Sequence, residues 1–244
     1  MKIVIINPNT TKDMSDLIQT AAMSVANPTT EIITYTAPRG PESIEGFFDE
    51  FLAGEAVLST VAKVLKEEKP DAIIDACYTD PALYGCRELS DCPVIGVGEA
   101  SMYFAAVLAA KFSIVTDLQR GVYGLEELAA KYGMGKKCVS VRATNIPVLG
   151  FDEDDSSMDA LLAASRKAME EDGAEAICLG CAGLAAFAAK MQEELGIPVL
   201  DGVTAAVKMA EGLYAMGKST SKVCTFSKPD PKKYLGHEGV FETN

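Results

Sequence analysis

Histidine is almost absent: His237 is the only one in 244 residues. Mechanisms built on a histidine base therefore have one candidate, and it follows the proline-rich SKPDPKKY near the C-terminal end. It reads as a surface residue of a tail. Long apolar runs are also missing. Hydrophobic residues make up 48%, yet no run approaches the roughly 18 uninterrupted residues that mark a membrane-spanning helix. The opening MKIVIINPNT has one Lys and a four-residue apolar run, too short for the core of a signal peptide, and reads as a first strand. Positive charge is in short supply, with 22 Lys and Arg against 35 Asp and Glu and a net charge of −13. Nucleic acid and anionic membranes need clustered cations, so the expected partner is a small molecule. Cysteine is present, but seven is an odd number, which points to free thiols in a reducing cytoplasm rather than a disulfide framework. The length suits one large domain or two of about 120 residues, enough for a substantial core.

Strand and helix patterns alternate, which predicts parallel sheets covered by helices. KIVII, EIITYT, DAIIDAC and PVIGV read as strands. The intervening helices are TKDMSDLIQTAAMSVA, EAVLSTVAKVLKEE and PALYGCREL, and EASMYFAAVLAA closes the half. In PALYGCREL the preceding Asp80 would be the N-cap and Pro81 the first helical residue. At Lys111 the plan restarts: FSIVT, CVSVRA, AEAICLGC and IPVL are strands. LQRGVYGLEELAAKYG, SSMDALLAASRKAMEED, AGLAAFAAKMQEEL and GVTAAVKMAEGLYAM are helices, the second capped by Ser156 or Ser157 and stopped by Gly173.

The halves repeat each other. AIIDAC, residues 72–77, is answered 104 positions later by AICLGC, residues 176–181. Pro93-Val-Ile is answered by Pro198-Val-Leu, and Gly98, before a helix, by Gly202. The offset is too long for a solenoid and predicts two homologous α/β lobes: residues 1–110, 111–225, and a tail, 226–244. The last helix of the first lobe is a candidate to pack on the other. Open α/β sheets bind ligands at the C-terminal ends of their strands, where Cys77 and Cys181 sit. Pseudo-twofold symmetry would let them face each other across a cleft.

A thiol titrates near 8.5 when unperturbed, and a helix start lowers that value. One thiolate could then take a proton from a carbon acid while the opposite thiol returns one to the other face. Such two-base racemisation needs no metal, pyridoxal or nucleotide. The enolate oxygen would need donors, for which the backbone N–H groups of Tyr78, Thr79 and Ala182 are placed. Against this, free cysteine is often inert packing. That is the reading for Cys86, Cys92, Cys138, Cys178 and Cys224, and it stays open for the other two. CLGC also has redox or zinc spacing, but Cys178 falls before the strand ends and further zinc ligands are scattered.

At these residues the chain resembles the hydantoin and allantoin racemases of the aspartate/glutamate racemase superfamily. INPNTT (6–11), GPESIEG (40–46), ACYTDPAL (76–83), PVIGVGEAS (93–101) and LGCAGL (179–184) are similar to that family's motifs, in order, over nearly the whole chain. The resemblance implies two Rossmann-like lobes with parallel sheets and the active site in the cleft between them. It implies cofactor-independent racemisation with Cys77 and Cys181 as the acid–base pair, and a homo-oligomer. Asn9 and Thr10 would be substrate-facing groups on the first loop, although an Asx turn or cap would also use them. Ser43 has the same standing, with an ordinary turn as its alternative. Thr116, ending FSIVT, would line the pocket or cap a helix. One position departs from the pattern: Thr79 stands where the family has Gly. It adds bulk and a hydroxyl beside Cys77, and suits a smaller or more polar substrate such as allantoin or an acyclic amino-acid derivative.

The leading expectation is a racemase of 5-substituted hydantoins, allantoin included. The same superfamily offers an amino-acid racemase, a maleate-type isomerase or a decarboxylase, the last disfavoured by two cysteines. A two-lobed binding protein without turnover is the reading from another class, and solvent-deuterium exchange at the ligand carbon would separate it.

Overall fold

The computed structural model describes residues 1–151, 155–237 and 240–241. The first sheet has the order β2-β1-β3-β4, from β1 (Lys2–Asn7), β2 (Glu31–Thr36), β3 (Ala72–Asp75) and β4 (Val94–Gly96). The second repeats it as β6-β5-β7-β8, from β5 (Phe112–Thr116), β6 (Cys138–Ala143), β7 (Ile177–Leu179) and β8 (Val199–Leu200). Every pairing is parallel. Ile3, Val4, Ile5 and Ile6 are all fully buried, as a central parallel strand covered on both faces requires. In each sheet the chain leaves the central strand to one side and returns on the other. The loops after β1 and β3, and after β5 and β7, therefore diverge and open a crevice.

Helices α1 (Lys12–Val25), α2 (Phe47–Glu67) and α3 (Leu83–Leu89) cover the first sheet, and α5 (Val122–Lys131), α6 (Asp155–Asp172) and α7 (Ala188–Leu195) the second. The last helix of each half crosses over. α4 (Val97–Leu108) packs against β7 and β8, while α8 (Gly202–Ala215) packs against β3, β4, α1 and α4. The crossing is close. A Cβ at Gly202 would lie 2.5 Å from the Val97 carbonyl of α4, while Gly98 is crowded from within its own half, where a Cβ would lie 2.2 Å from the Tyr78 carbonyl on the β3 loop. That accounts for the paired glycines. The cores merge in consequence: Val4, Ile6 and Val57 share one apolar cluster with Phe112, Ile114 and Leu125.

Several local expectations need correction. β3 and β7 end at Asp75 and Leu179, so both Cys77 and Cys181 lie on loops two residues beyond the strands. α2 begins at Phe47, two turns before the apolar periodicity starts, where the Asp49 carboxylate accepts the Glu45 N–H at 3.1 Å. α6 is described over Asp155–Asp172, so Ser156 and Ser157 lie within the helix rather than before it; Gly173 follows it with a φ of 74°. α3 begins at Leu83, and Asp80 caps a different helix. Its Oδ1 accepts the Gly98 N–H at 3.0 Å and its Oδ2 the Glu99 N–H at 2.7 Å, at the start of α4. Gly96 leaves room for this, since a Cβ there would lie 2.2 Å from the Asp80 carboxyl carbon.

Candidate active site

The C-terminal ends of both sheets open into one cavity. The β1 loop brings Asn7 and Asn9, and the β3 loop brings Cys77, Tyr78 and Thr79. The β5 loop brings Thr116, Asp117 and Arg120, and the β7 loop Gly180, Cys181, Ala182 and Gly183. Ile44, Glu45 and Gly46, with Phe47 and Glu50 of α2, form a further wall. Both cysteines thus reach one space from equivalent positions.

The loops are built from short polar contacts. The Asn7 amide donates to Asn9 Oδ1 at 2.8 Å, Ser15 Oγ at 3.0 Å and the Thr11 carbonyl at 3.1 Å. Asn9 Oδ1 also accepts the Thr11 N–H at 3.0 Å. Asn9 therefore makes the Asx turn and lines the cavity as well. Thr116 Oγ1 donates to the Gly180 carbonyl at 3.3 Å, tying the ends of β5 and β7 together. The Tyr78 ring is packed in the core with its phenol oxygen accepting from Ser101 Oγ at 2.8 Å, so its backbone is what the cavity meets.

Thr10 and Ser43 are not among the lining residues. Thr10 gives its N–H and its hydroxyl to the Pro41 carbonyl, at 3.0 and 3.3 Å, and Ser43 Oγ donates to Glu45 Oε1 at 3.3 Å. Both are spent holding the 40–46 loop, which presents Ile44, Glu45 and Gly46 instead. Glu45 is fixed further by the Val148 N–H at 3.2 Å.

The expectation of acidified thiols fails. No α-helix starts at either cysteine. Cys77 enters a turn in which Asp80 and Ala82 have φ of 48° and 59°, and Cys181 precedes the 3-10 segment Ala182–Phe187. Burial pushes Cys77 up to about 12, with Asp75 and Asp80 adding to the rise; the Thr79 hydroxyl, 3.5 Å from Sγ, and the Thr79 N–H pull it back. Burial also drives Cys181 well above the ordinary thiol value, with Asp117, Cys77 and Glu45 contributing and the Gly183 N–H opposing. The Thr79 N–H is directed at the Cys77 sulfur.

Acidic groups in the wall were not anticipated. Burial raises Asp117 to about 6, against hydrogen bonds from the Leu118 N–H at 2.6 Å and Thr116 Oγ1 at 3.3 Å. It follows FSIVT directly, so the strand-end rule that found Cys77 could have found it. Arg120 and Phe47 had no such signal. They enter from a 3-10 turn and a helix start, and the Arg120 guanidinium lies where a Cβ at Gly46 would be, 2.9 Å away. All seven cysteines are free. Cys178 is fully buried inside β7, with Sγ 3.7 Å from the Ser101 carbonyl, and faces away from the cavity. Among the described residues no group of three or more His, Cys, Asp or Glu side chains could hold a metal ion. His237 lies outside the cavity, its Nδ1 3.4 Å from Glu55 Oε1.

Two parallel α/β lobes each bring a cysteine to one crevice, and comparison with known proteins places the chain among racemases. The family model described as Asp/Glu/Hydantoin racemase matches residues 3–210, and the chain belongs to that family. It is 46% identical to a hydantoin racemase of Pseudomonas sp. (strain NS671), over 97% of this chain and 95% of that one. It is 41% identical to a hydantoin racemase of Paenarthrobacter aurescens, over 96% and 100%. The allantoin racemase from Klebsiella pneumoniae superposes with a TM-score of 0.93 at 40% identity, over 97% and 96%. A glutamate racemase from Campylobacter jejuni subsp. jejuni, 19% identical with a TM-score of 0.62 over 88% and 86%, shares the fold. The chain is an isomerase of the racemase type.

Proposed function

We propose that the protein racemises 5-substituted hydantoins, allantoin among them, without a cofactor, with Cys77 and Cys181 as the two bases. The observation that carries this reading is the arrival of both cysteines in one cavity from pseudo-equivalent loops. The hydantoin C5–H is flanked by a carbonyl, which makes it a stronger acid than an amino-acid Cα–H and matches it to a thiolate. Because each cysteine's charge opposes the other's, the pair operates with one thiolate and one thiol. The thiolate takes the C5 proton from one face and becomes a thiol. The opposite thiol gives its proton to the other face and becomes the thiolate, so the pair ends with its roles exchanged. Tyr78 and Ala182 N–H groups would face the enolate oxygen, and Asn9, Thr79 and Thr116 would bound the ring. A cytoplasmic homo-oligomer belongs to the same reading, supported by seven free thiols and by Phe48, Phe51 and Leu52 exposed on α2.

The test is loss of optical rotation of L-5-benzylhydantoin and (S)-allantoin by the purified protein in EDTA, beside Cys77→Ser and Cys181→Ser. Racemisation by the wild type, abolished in both folded variants and accompanied by solvent-deuterium uptake at C5, is expected. Inactivity on both compounds would overturn the hydantoin assignment; a single-serine variant with full activity would overturn the two-thiol mechanism.

A further inference from the structure

Asp75 ends β3 two residues before Cys77 and is 1% exposed. Neither carboxyl oxygen has a well-formed hydrogen bond among the described residues; the Cys77 N–H acts on the carboxyl and only partly opposes the effect of burial. Its sheet neighbours are Ile6 of β1 and Gly96 of β4. The titratable groups around it are acids: Asp80 on the same loop, Glu50 on α2, the Cys77 thiol and Cys86 on α3. Asp80, close by, is different, with two backbone N–H groups and the Tyr132 hydroxyl, at 2.7 Å, all donating to it. A carboxyl in a dry site with one weak backbone donor, the Cys77 N–H, and no cation stays neutral, because burial outweighs that donor. The second half has Leu179 at the position 104 residues on. The pseudo-symmetric site therefore has a buried ionisable group, without a cation or a well-formed hydrogen bond, beneath one of its two thiols.

We infer that Asp75 is a positioning residue for Cys77 which, by keeping or losing one proton, decides which of the two thiols serves as base. The inference rests on the two-thiol reading above. While Asp75 is neutral, the single negative charge of the pair is free to sit on Cys77, which then takes the substrate proton while Cys181 donates. When Asp75 loses its proton to solvent, a second negative charge arises beneath Cys77. Like-charge repulsion moves the thiolate to Cys181, and Cys77 is left as the acid.

The experiment is iodoacetamide labelling of the ligand-free protein, with the Cys77 and Cys181 peptides quantified by mass spectrometry from neutral to alkaline pH, above the range where Asp117 titrates. In the wild type the ratio of Cys77 to Cys181 labelling falls as pH rises. In Asp75→Asn, and in Asp75→Leu, which copies the second half, the ratio stays flat and at the alkaline end exceeds the wild-type ratio by about tenfold, one unit of thiol pKa. Leucine covers the case in which an unpartnered asparagine amide prevents folding. A flat wild-type ratio, or variants folded by circular dichroism that keep the wild-type pH course, would overturn the role of Asp75. Racemase assays on the same preparations keep the two ideas apart. An active enzyme with unmoved labelling counts against Asp75 alone. An inactive one counts against the proposed function, while the labelling still decides on Asp75.

Discussion

Thr79 holds its hydroxyl 3.5 Å from the Cys77 sulfur and opposes the rise that burial imposes on that thiol. A hydrogen bond to a charged acceptor contributes about 1.5–3 kcal/mol, and sulfur sits at the weak end of that range. Removing the hydroxyl therefore costs about tenfold in thiolate at a given pH. Thr79→Gly also deletes the bulk beside the sulfur. The expected outcome is a kcat about tenfold lower at neutral pH, with the specificity ratio of L-5-benzylhydantoin over allantoin raised. Thr79→Ser, which keeps the oxygen, retains kcat. Equal kcat in the glycine and serine variants would show that the hydroxyl does nothing for Cys77. The residues of the site that could be read in advance share one property: Thr116 ends a strand and Cys77, Asn9 and Ala182 follow one closely, and the C-terminal ends of parallel strands converge. Thr10 and Ser43 lie in equally recognisable motifs, but backbone carbonyls and Glu45 claim their hydroxyls, and a motif does not say which way a loop residue turns.

Among the elements, α4 shows how the site is tied to the scaffold. Its first turn is closed by a carboxylate from the Cys77 loop, so the position of that loop and the start of the helix are one structural event. Replacing Asp80 by Asn puts an amide where three donors converge, at a cost of about 1–3 kcal/mol for groups left unpaired. The pH dependence has a definite sign. Burial, the largest influence, raises the folded carboxyl to about 7, against about 3.9 in the unfolded chain. Between those values the folded state holds a proton that the unfolded state has lost, so the Asp80 contribution to stability falls as pH rises. Asp80→Asn lacks that slope. Its melting-temperature deficit relative to wild type is therefore expected to shrink from about pH 4 to about pH 7 and to level off above. A deficit that grows with pH would mean that the three donors outweigh burial. Asp80 and Pro81 do look like a helix start in sequence, and Asp80 is a cap, but of the helix after the next strand, which only tertiary structure reveals. EIITYT, FSIVT and CVSVRA needed no correction because their residues carry the strand pattern end to end. Phe47, Phe48, Phe51 and Leu52 at the start of α2 do share one helical face, but that face is exposed rather than turned to the core, so it does not continue the buried stripe that marks the rest of the helix.

For the whole molecule, the exchange of α4 and α8 predicts that the two halves fold as one unit. Residues 1–110 contain all four strands of the first sheet but not α8, whose Val203, Ala206 and Val207 pack with Ile3, Ile5 and Ile74. Residues 111–225 contain the second sheet but not α4, whose Met102 and Ala105 share a cluster with Phe112, Ile114 and Cys178. Each half made alone leaves one face of a parallel sheet without its helix, and parallel sheets persist only when both faces are covered. An exposed apolar face of this kind is also an aggregation surface. Separate expression of 1–110 and 111–225 is therefore expected to yield insoluble or molten fragments, and co-expression to restore a soluble pair with both cysteines at one cavity. The intact chain is expected to unfold in a single step, with far-ultraviolet circular dichroism and the near-ultraviolet tyrosine signal coincident. Tyr78 and Tyr132, one from each half, are both buried in the shared cluster and report on it. A soluble 1–110 fragment with a cooperative melt, or two separated transitions in the intact chain, would mean that the halves are independent domains. The crossed helices would then contribute little to stability, and the alignment of Cys77 with Cys181 would depend on the loops alone.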